Sequence, residues 1–274
     1  MKGEIISLDD LEEYIKNNAF QPRNNSQDVF IAGTKIGDGS KDDPLIIVFT
    51  SRACLKYLKD QAQTGVSQFG LDSTFKVNEL RYPLTCWATQ DIEHRTYPIA
   101  FAVSNSECET TYIFMLQTIK NAYQTLYNMN LSPKFIMSDA ADYIFKATET
   151  VFGVGATTHL VCYFHLKQAL KRNFTQHSVN KEDHVPILRH VDAMRKSVNQ
   201  LQFNKYYDLF KAQYSHYNSF LEYFEKQWVS QSSKTNKWTF YQSDSNVLMT
   251  NNICESLNAT IKRDFTNRER LSLH

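Results

Sequence analysis

The chain has 274 residues, of which 42% are hydrophobic and 22% charged, a composition typical of a folded protein with a sizeable core. The formal net charge is only +1, so any contact with nucleic acid has to depend on local basic patches. Five scattered cysteines without a CxxC pair favour a reducing compartment, cytosol or nucleus, and the eight glycines form no phosphate-binding loop. No apolar run approaches the roughly 18 residues of a membrane span, so we expect no membrane partner.

Residues 1–67 are predicted to form an N-terminal lead-in region. The stretch SLDDLEEYIKN predicts a short helix capped by Ser7, because acidic residues follow in its first turn. The apolar run LIIVFTS (45–51) predicts a strand, and RACLKYLKDQ predicts a helix directly after it.

Three strand patterns follow at close spacing: FGLDSTFKV, PLTCWATQD and TYPIAFAVS. Their short polar connections predict an antiparallel meander. The next segment, ETTYIFMLQTIKNAYQTLYNM, carries apolar residues at helical spacing and predicts a long helix with one broad core face.

Alternating strands and helices continue with KFIMSD (134–139), AADYIFKATETVFG and THLVCYFHLKQALKRN. The resulting order, β-β-β-α-β-α-β-α, predicts an α/β fold with a mixed sheet flanked by helices, the ribonuclease-H-like arrangement. We therefore assign residues 68–178 to the first part of that core. Residues 179–247 break the rhythm and are predicted to be an all-helical insertion. Its apolar pattern comprises Leu201, Tyr206, Leu209, Phe210, Tyr214, Tyr217, Leu221 and Phe224. Residues 248–274 contain the last helix of the core, TNNICESLNATIKRDF.

Asp72 lies in the middle of a strand that otherwise looks buried, where an ionised carboxylate needs a partner or a metal. Asp139 ends the strand KFIMSD, and ligands of open α/β sheets bind at the carboxyl ends of strands. Mg²⁺ suits two such carboxylates, because it takes oxygen ligands and is usually held by one or two acids plus substrate phosphates.

Glu255 is the best candidate for a third acid. It lies about 160° around its helix from Leu257, away from the apolar stripe of Ile253, Leu257, Ile261 and Phe265. The alternative is a capping box, in which Asn252 and Glu255 only satisfy backbone donors at the start of the helix. Taken alone, the spacing favours the cap.

Four blocks in this order resemble the Mutator-like element (MULE) DDE transposases: LDSTFKVN, SDAADYIFKATETVFG, CYFHLKQALKRN and TNNICESLNATIK. The resemblance covers roughly residues 30–274. It implies that Asp72, Asp139 and Glu255 form the catalytic triad and bind two Mg²⁺ or Mn²⁺ ions. It also implies that the helical insertion separates the second and third acids.

The activity implied by the resemblance is DNA strand cleavage and strand transfer at transposon ends. In two-metal sites of this type, ions roughly 3.5–4 Å apart clamp the attacking and leaving oxygens of a phosphodiester. The implied partners are double-stranded DNA, as terminal inverted repeats and as target, with a homo-oligomer left open. The implied location is the nucleus.

Cys162 and His165 form a C-x-x-H pair that resembles half of a zinc site but has no second pair at a finger-like distance. A buried cysteine beside a hydrogen-bonded histidine is the commoner interpretation, whereas the family resemblance places the pair near the active site. His159 and Cys254 are expected at core or rim positions.

Two basic stretches are candidates for DNA contact. Residues 165–181 contain Lys167, Lys171 and Arg172, and residues 261–270 contain Lys262, Arg263, Arg268 and Arg270. A solvated helix face explains either stretch equally well in isolation. Trp228 and Trp238 are candidates for stacking on bases, although core packing is the simpler interpretation.

Three functions remain open from sequence. The first is a DDE transposase domain, and the second is a transposase-derived DNA-binding or regulatory protein without catalytic activity. The third is a ribonuclease-H-like nuclease with another nucleic-acid substrate, which the long helical segment disfavours.

Overall fold

The structure is a computed structural model that describes residues 8–20, 27–63, 68–91, 93, 95–243 and 252–265. In chain order, its helices and strands are α1 (Leu8–Asn17), β1 (Val29–Lys35), β2 (Ile46–Ser51), α2 (Arg52–Gln63), β3 (Gln68–Thr74), β4 (Leu84–Gln90), β5 (Thr96–Ser104), α3 (Glu109–Tyr127), β6 (Phe135–Ser138), α4 (Asp142–Phe152), β7 (Thr158–Val161), α5 (Tyr163–Gln176), α6 (Lys181–Arg195), α7 (Gln200–Gln213), α8 (Asn218–Phe224) and α9 (Asn252–Thr260). The π-helical turns Glu225–Val229 and Ile261–Phe265 extend α8 and α9, and a 3₁₀ turn covers Phe240–Gln242. Among the described residues, no helix has the length and apolar character needed to cross a bilayer.

A mixed seven-stranded sheet forms the centre of this α/β fold, with strand order β1-β2-β5-β4-β3-β6-β7. The meander is confirmed, because β3 pairs antiparallel with β4 and β4 pairs antiparallel with β5. Two strands of the lead-in region join the same sheet, since β2 pairs with β5 and β1 pairs with β2. The order of elements from β3 to α5 is the one predicted, and it is compatible with a ribonuclease-H-like fold.

Burial explains why the sheet forms from these sequences. The interior of β4 is buried over five consecutive residues, which is typical of a strand covered on both faces. Helix α3 places Tyr112, Met115, Leu116 and Ile119 in the core, as its periodicity predicts. The helix ends at Asn128, whose φ of 51° gives a left-handed cap.

The described residues divide into two compact units. The first comprises those within 1–136, 143–158 and 252–274, and the second comprises those within 137–142 and 159–251. The domain boundaries predicted from sequence, including the role of residues 179–247 as an insertion, stay predictions.

Aromatic residues build the core of the second unit. The rings of Phe203, Phe210, Phe220 and Phe224 are buried, and Phe203 and Phe224 meet Trp238 edge-to-face at 5.8 and 6.2 Å between ring centroids. The apolar pattern predicted from sequence is partly wrong here. Leu201, Tyr206 and Leu209 are exposed, because α7 turns its aromatic face inward instead.

Trp228 and Trp238 are both buried, and the indole nitrogen of Trp238 donates a hydrogen bond to the carbonyl of Trp228 at 2.7 Å. Core packing is therefore confirmed for both side chains. Neither presents a ring to solvent on which a base stacks.

Candidate active site

Asp72 lies near the carboxyl end of β3, directly opposite Cys86 of β4. It is half-buried, and its Oδ2 accepts a hydrogen bond from the side-chain nitrogen of Asn258 at 2.8 Å. The carboxylate thus has one of the partners that its position in the sheet demands, and that partner comes from α9.

Helix α9 packs on β3, β4 and β5. Cys254 is fully buried against Cys86 and Ala88, and the half-buried Leu257 lies beside them. Burial raises the pKa of the Cys254 thiol well above its usual range, and the thiol of Cys86 raises it further. Cys254 is therefore a neutral core residue, as expected from the sequence.

The buried face of α9 is rotated relative to the predicted stripe. Cys254 and Asn258 point most directly at the sheet, and Leu257 and Ile261 are only half-buried beside them. The side chains of Ile253 and Phe265, which completed the predicted stripe, lie outside the described residues, as does the side chain of Asn252. The capping-box alternative for Glu255 thus stays a prediction.

Glu255 is half-buried at the edge of this face. It precedes Asn258 by three residues, and residues three apart are neighbours on one side of a helix. Because Asn258 bonds to Asp72, Glu255 is on the part of α9 that adjoins the Asp72 end of β3. The first unit thus carries two of the three predicted acids on packed elements.

Asp139 follows β6, the strand next to β3 in the sheet order. Its Oδ1 accepts a hydrogen bond from the backbone of Ala141 at 3.2 Å, so the carboxylate caps the turn that leads into α4. The side chain is half-buried and belongs to the second unit. Convergence of Asp139 with the acids of the first unit stays a prediction.

A short chain of hydrogen bonds fixes the backbone of Asp139. The hydroxyl of Ser138 donates to the carbonyl of Asp139 at 2.7 Å, and it lies 2.6 Å from Nε2 of the buried His159. Because the single hydroxyl proton is used toward that carbonyl, Nε2 of His159 is the donor to Ser138. Burial lowers the pKa of His159 to about 3, so the ring is neutral at physiological pH.

Cys162 is fully buried at the N-cap of α5, and its backbone nitrogen donates to the carbonyl of Ser138 at 2.8 Å. His165, in the first turn of the same helix, is half-buried. Its Nδ1 is inaccessible to solvent and has no hydrogen-bond partner in the part of the chain that the structure describes. The buried cysteine is confirmed, whereas a hydrogen bond of the His165 ring stays a prediction.

The basic residues predicted to contact DNA differ in their exposure and in the side chains that they contact. Lys167 lies with its ammonium 4.9 Å from the centroid of the Tyr163 ring, whereas Lys171 and Arg172 are exposed on α5. Arg263 is exposed, but its guanidinium binds both oxygens of the adjacent Asp264, at 2.6 and 2.9 Å.

The remaining basic candidates are near the end of the chain. Lys262 is half-buried. Arg268 and Arg270 lie outside the described residues. Contact of any of these groups with DNA stays a prediction.

Residues 68–169, from β3 into the first turns of α5, match the family model of the MULE transposase domain. Residues 68–169 are therefore identified as a MULE transposase domain. The matched residues of this MULE domain include Asp72, Asp139, Cys162 and His165, whereas Glu255 lies beyond them. No curated protein matches the chain.

Sequence reasoning missed Asn258. The signal was present, because Asn258 stands three residues after Glu255 in the block TNNICESLNATIK, which the resemblance had already singled out. A polar residue between Leu257 and Ile261, on the side of the helix that packs, indicates a specific buried partner.

Proposed function

We propose that this chain is the catalytic part of a Mutator-like DDE transposase, which cleaves DNA strands at transposon ends and joins them to target DNA. The observation that carries the proposal is the contact between Asn258 and Asp72, which docks the helix bearing Glu255 beside the strand bearing the first acid. The family match over residues 68–169 supports the reaction class.

The residues present fit a divalent cation such as Mg²⁺ or Mn²⁺. Asp72 offers a carboxylate that is only half-buried, and Asn258 next to it carries a buried side-chain oxygen with no hydrogen-bond partner among the described residues. Carboxylate oxygens are ligands of hard cations, and the unpaired amide oxygen marks a polar site beside Asp72, so these residues suit Mg²⁺ rather than zinc. Asp72, Asp139 and Glu255 would hold the two ions.

When bound, the ions supply charge neutralisation for the phosphodiester and polarise its oxygens. The protein residues have a positioning task, because phosphoryl transfer in line between oxygens needs no covalent intermediate with a side chain. Asp72 and Glu255 present carboxylates from two packed elements, and the hydrogen bonds through Ser138 and Ala141 fix the turn that carries Asp139. None of the three acids acts as a nucleophile.

DNA is the proposed partner, and the exposed Lys171 and Arg172 are the proposed phosphate contacts on α5. Such contacts fix the position of the duplex without reading its sequence. A nuclear location and assembly of more than one copy are parts of the same proposal.

The proposal is tested by incubating the purified full chain with supercoiled plasmid and with a labelled duplex, in Mg²⁺, in Mn²⁺ and in a chelator. We expect metal-dependent nicks that leave 3′-hydroxyl ends, detected by their extension with a DNA polymerase. Asp139→Asn should abolish the nicking activity. The control is Asp208→Asn, which also removes one negative charge, at an exposed position on α7, and should nick DNA as wild type does.

Binding of the duplex without cleavage under all three conditions would contradict the enzymatic proposal. That outcome would support the transposase-derived DNA-binding protein instead. Cleavage restricted to RNA or to RNA–DNA hybrids would support the nuclease alternative.

A further inference from the structure

Asn258 is one of the few polar side chains on the packed face of α9, with 7% of its surface exposed. Its side-chain nitrogen donates to Oδ2 of Asp72 at 2.8 Å, a contact between residues 186 positions apart. A charged acceptor makes this one of the stronger classes of hydrogen bond.

The orientation of the amide follows from its partner. If the amide were flipped, its oxygen would face the Asp72 carboxylate, and two acceptors would repel each other. The observed orientation leaves Oδ1 of Asn258 buried with no hydrogen-bond partner in the described part of the chain. Leaving a buried acceptor unpaired destabilises a fold, so the oxygen of Asn258 indicates a polar site whose partner the described residues do not supply.

We propose that Asn258 is a positioning residue that orients the Asp72 carboxylate for a divalent cation. The inference rests on the proposed function. The hydrogen bond from Nδ2 fixes one oxygen of Asp72 and restricts rotation of the carboxyl group. It also fixes the rotation of α9, and with it the side of the helix on which Glu255 stands three residues earlier.

This role differs measurably from a purely structural one. A structural contact would lower the stability of the protein when removed and leave its affinity for metal unchanged. A positioning contact changes the affinity for metal, because partners that orient metal ligands typically contribute 10–100-fold to metal affinity.

The experiment uses the full chain and measures two quantities, Mn²⁺ affinity by calorimetry and the thermal unfolding midpoint with and without Mn²⁺. Asn258→Leu keeps the volume of the side chain and removes its polar atoms. We expect the Mn²⁺ dissociation constant to rise about tenfold or more. The unfolding midpoint without metal reports stability separately: loss of the hydrogen bond to Asp72 lowers it, and removal of the unpaired oxygen offsets part of that loss.

A second variant keeps the proposal falsifiable if Asn258→Leu does not fold. Asn258→Asp places two carboxylates together, so its midpoint without metal should fall. Added Mn²⁺ should then raise the midpoint by more than it does for wild type, because the cation removes that repulsion. Ala259→Asp adds the same charge to the exposed side of the same helix and should respond to Mn²⁺ as wild type does.

Either of two results would overturn the inference. The first is a wild-type affinity of Asn258→Leu for Mn²⁺. The second is that Mn²⁺ raises the unfolding midpoint of Asn258→Asp by no more than that of wild type. These results leave the proposed function intact if wild-type protein still cleaves DNA. Conversely, the protein could bind Mn²⁺ in a way that depends on Asn258 and yet not cleave DNA. That result would support the positioning role and contradict the proposed transposase activity.

Discussion

Cys86 lies directly opposite Asp72 in the β3–β4 pair and also forms the surface on which Cys254 of α9 packs. The helix that carries the third predicted acid is thus anchored on the residue paired with the first. Docking of α9 and the geometry of Asp72 are consequently parts of one packing arrangement.

Cys254 is therefore a reporter of α9 docking. Its thiol is buried and its pKa is raised, so it should react with iodoacetamide at pH 8 at least roughly 100-fold more slowly than Cys108, which is only half-buried. Mass spectrometry of timed reactions measures both rates in one sample, with Cys108 as the internal control. Equal rates for the two cysteines would show that α9 is not packed on the sheet.

Release of Arg263 from its ion pair should strengthen DNA binding. Asp264→Asn removes the carboxylate that holds the guanidinium through two hydrogen bonds. If Arg263 then gains one phosphate contact, the slope of log affinity against log salt should steepen by about 0.9. Fluorescence anisotropy of a labelled duplex over a salt series measures this slope.

The matched control for that experiment is Asp208→Asn, which removes an exposed acid paired with Lys211 at 3.2 Å in the second unit. It changes the net charge equally but frees no arginine next to α9. The same steepening in both variants would mean that net charge, and not Arg263, sets the slope.

We predict that the Trp238 side chain stabilises the fold and does not contribute to DNA binding. Trp238→Phe removes the hydrogen bond to the carbonyl of Trp228, so the free energy of unfolding should fall by about 1–3 kcal/mol. Duplex affinity should not change. Urea unfolding followed by circular dichroism measures the loss, with the exposed Tyr206→Phe expected within about 0.5 kcal/mol of wild type. Weaker DNA binding with unchanged stability would instead favour base stacking.

His159 should make the stability of the protein depend on pH between about 6.5 and 3. The folded protein keeps the ring neutral down to a pKa of about 3, whereas the unfolded chain takes up a proton near pH 6.5. The unfolded state therefore binds more protons in this range, and the free energy of unfolding falls as pH falls, by up to roughly 1.4 kcal/mol per pH unit from this group.

His159→Gln keeps a side-chain nitrogen near Ser138 and removes the titration. Its unfolding free energy should thus depend less steeply on pH between 6.5 and 5 than that of wild type. A wild-type slope in His159→Gln would show that other groups produce the dependence.

Much of the fold could be predicted from the sequence because the signals are local. Strand alternation and helical periodicity placed β3, β4, β5 and α3 correctly, and the left-handed Gly153, with φ of 101°, ends α4. The membership of β1 and β2 in the same sheet was not predictable. These strands join the sheet through the pairing of β2 with β5, and a local sequence pattern does not show which distant strands pair.

The candidate active site was predictable only in part, because one of its contacts depends on how a helix packs on the sheet. Asp72 and Asp139 follow from strand patterns and family blocks, whereas the role of Asn258 depends on which side of α9 faces the sheet. Apolar spacing placed that side near Ile253 and Leu257, but the tight packing of Cys254 on Cys86 turns it toward Asn258. In α7, the preference of Phe203 and Phe210 for the core similarly left Leu201 and Leu209 outside.

The proposed transposase activity requires the carboxylates of Asp72, Asp139 and Glu255 to act together on DNA with divalent metal. Its most direct test is single-turnover strand cleavage in Mn²⁺ by wild type, Asp72→Asn, Asp139→Asn and Glu255→Gln, each first shown to unfold with a wild-type profile. Every one of the three substitutions should lower the cleavage rate by about 1,000-fold or more, because each removes a charge that would hold the ions. Cleavage at the wild-type rate by any of the three folded variants would contradict it.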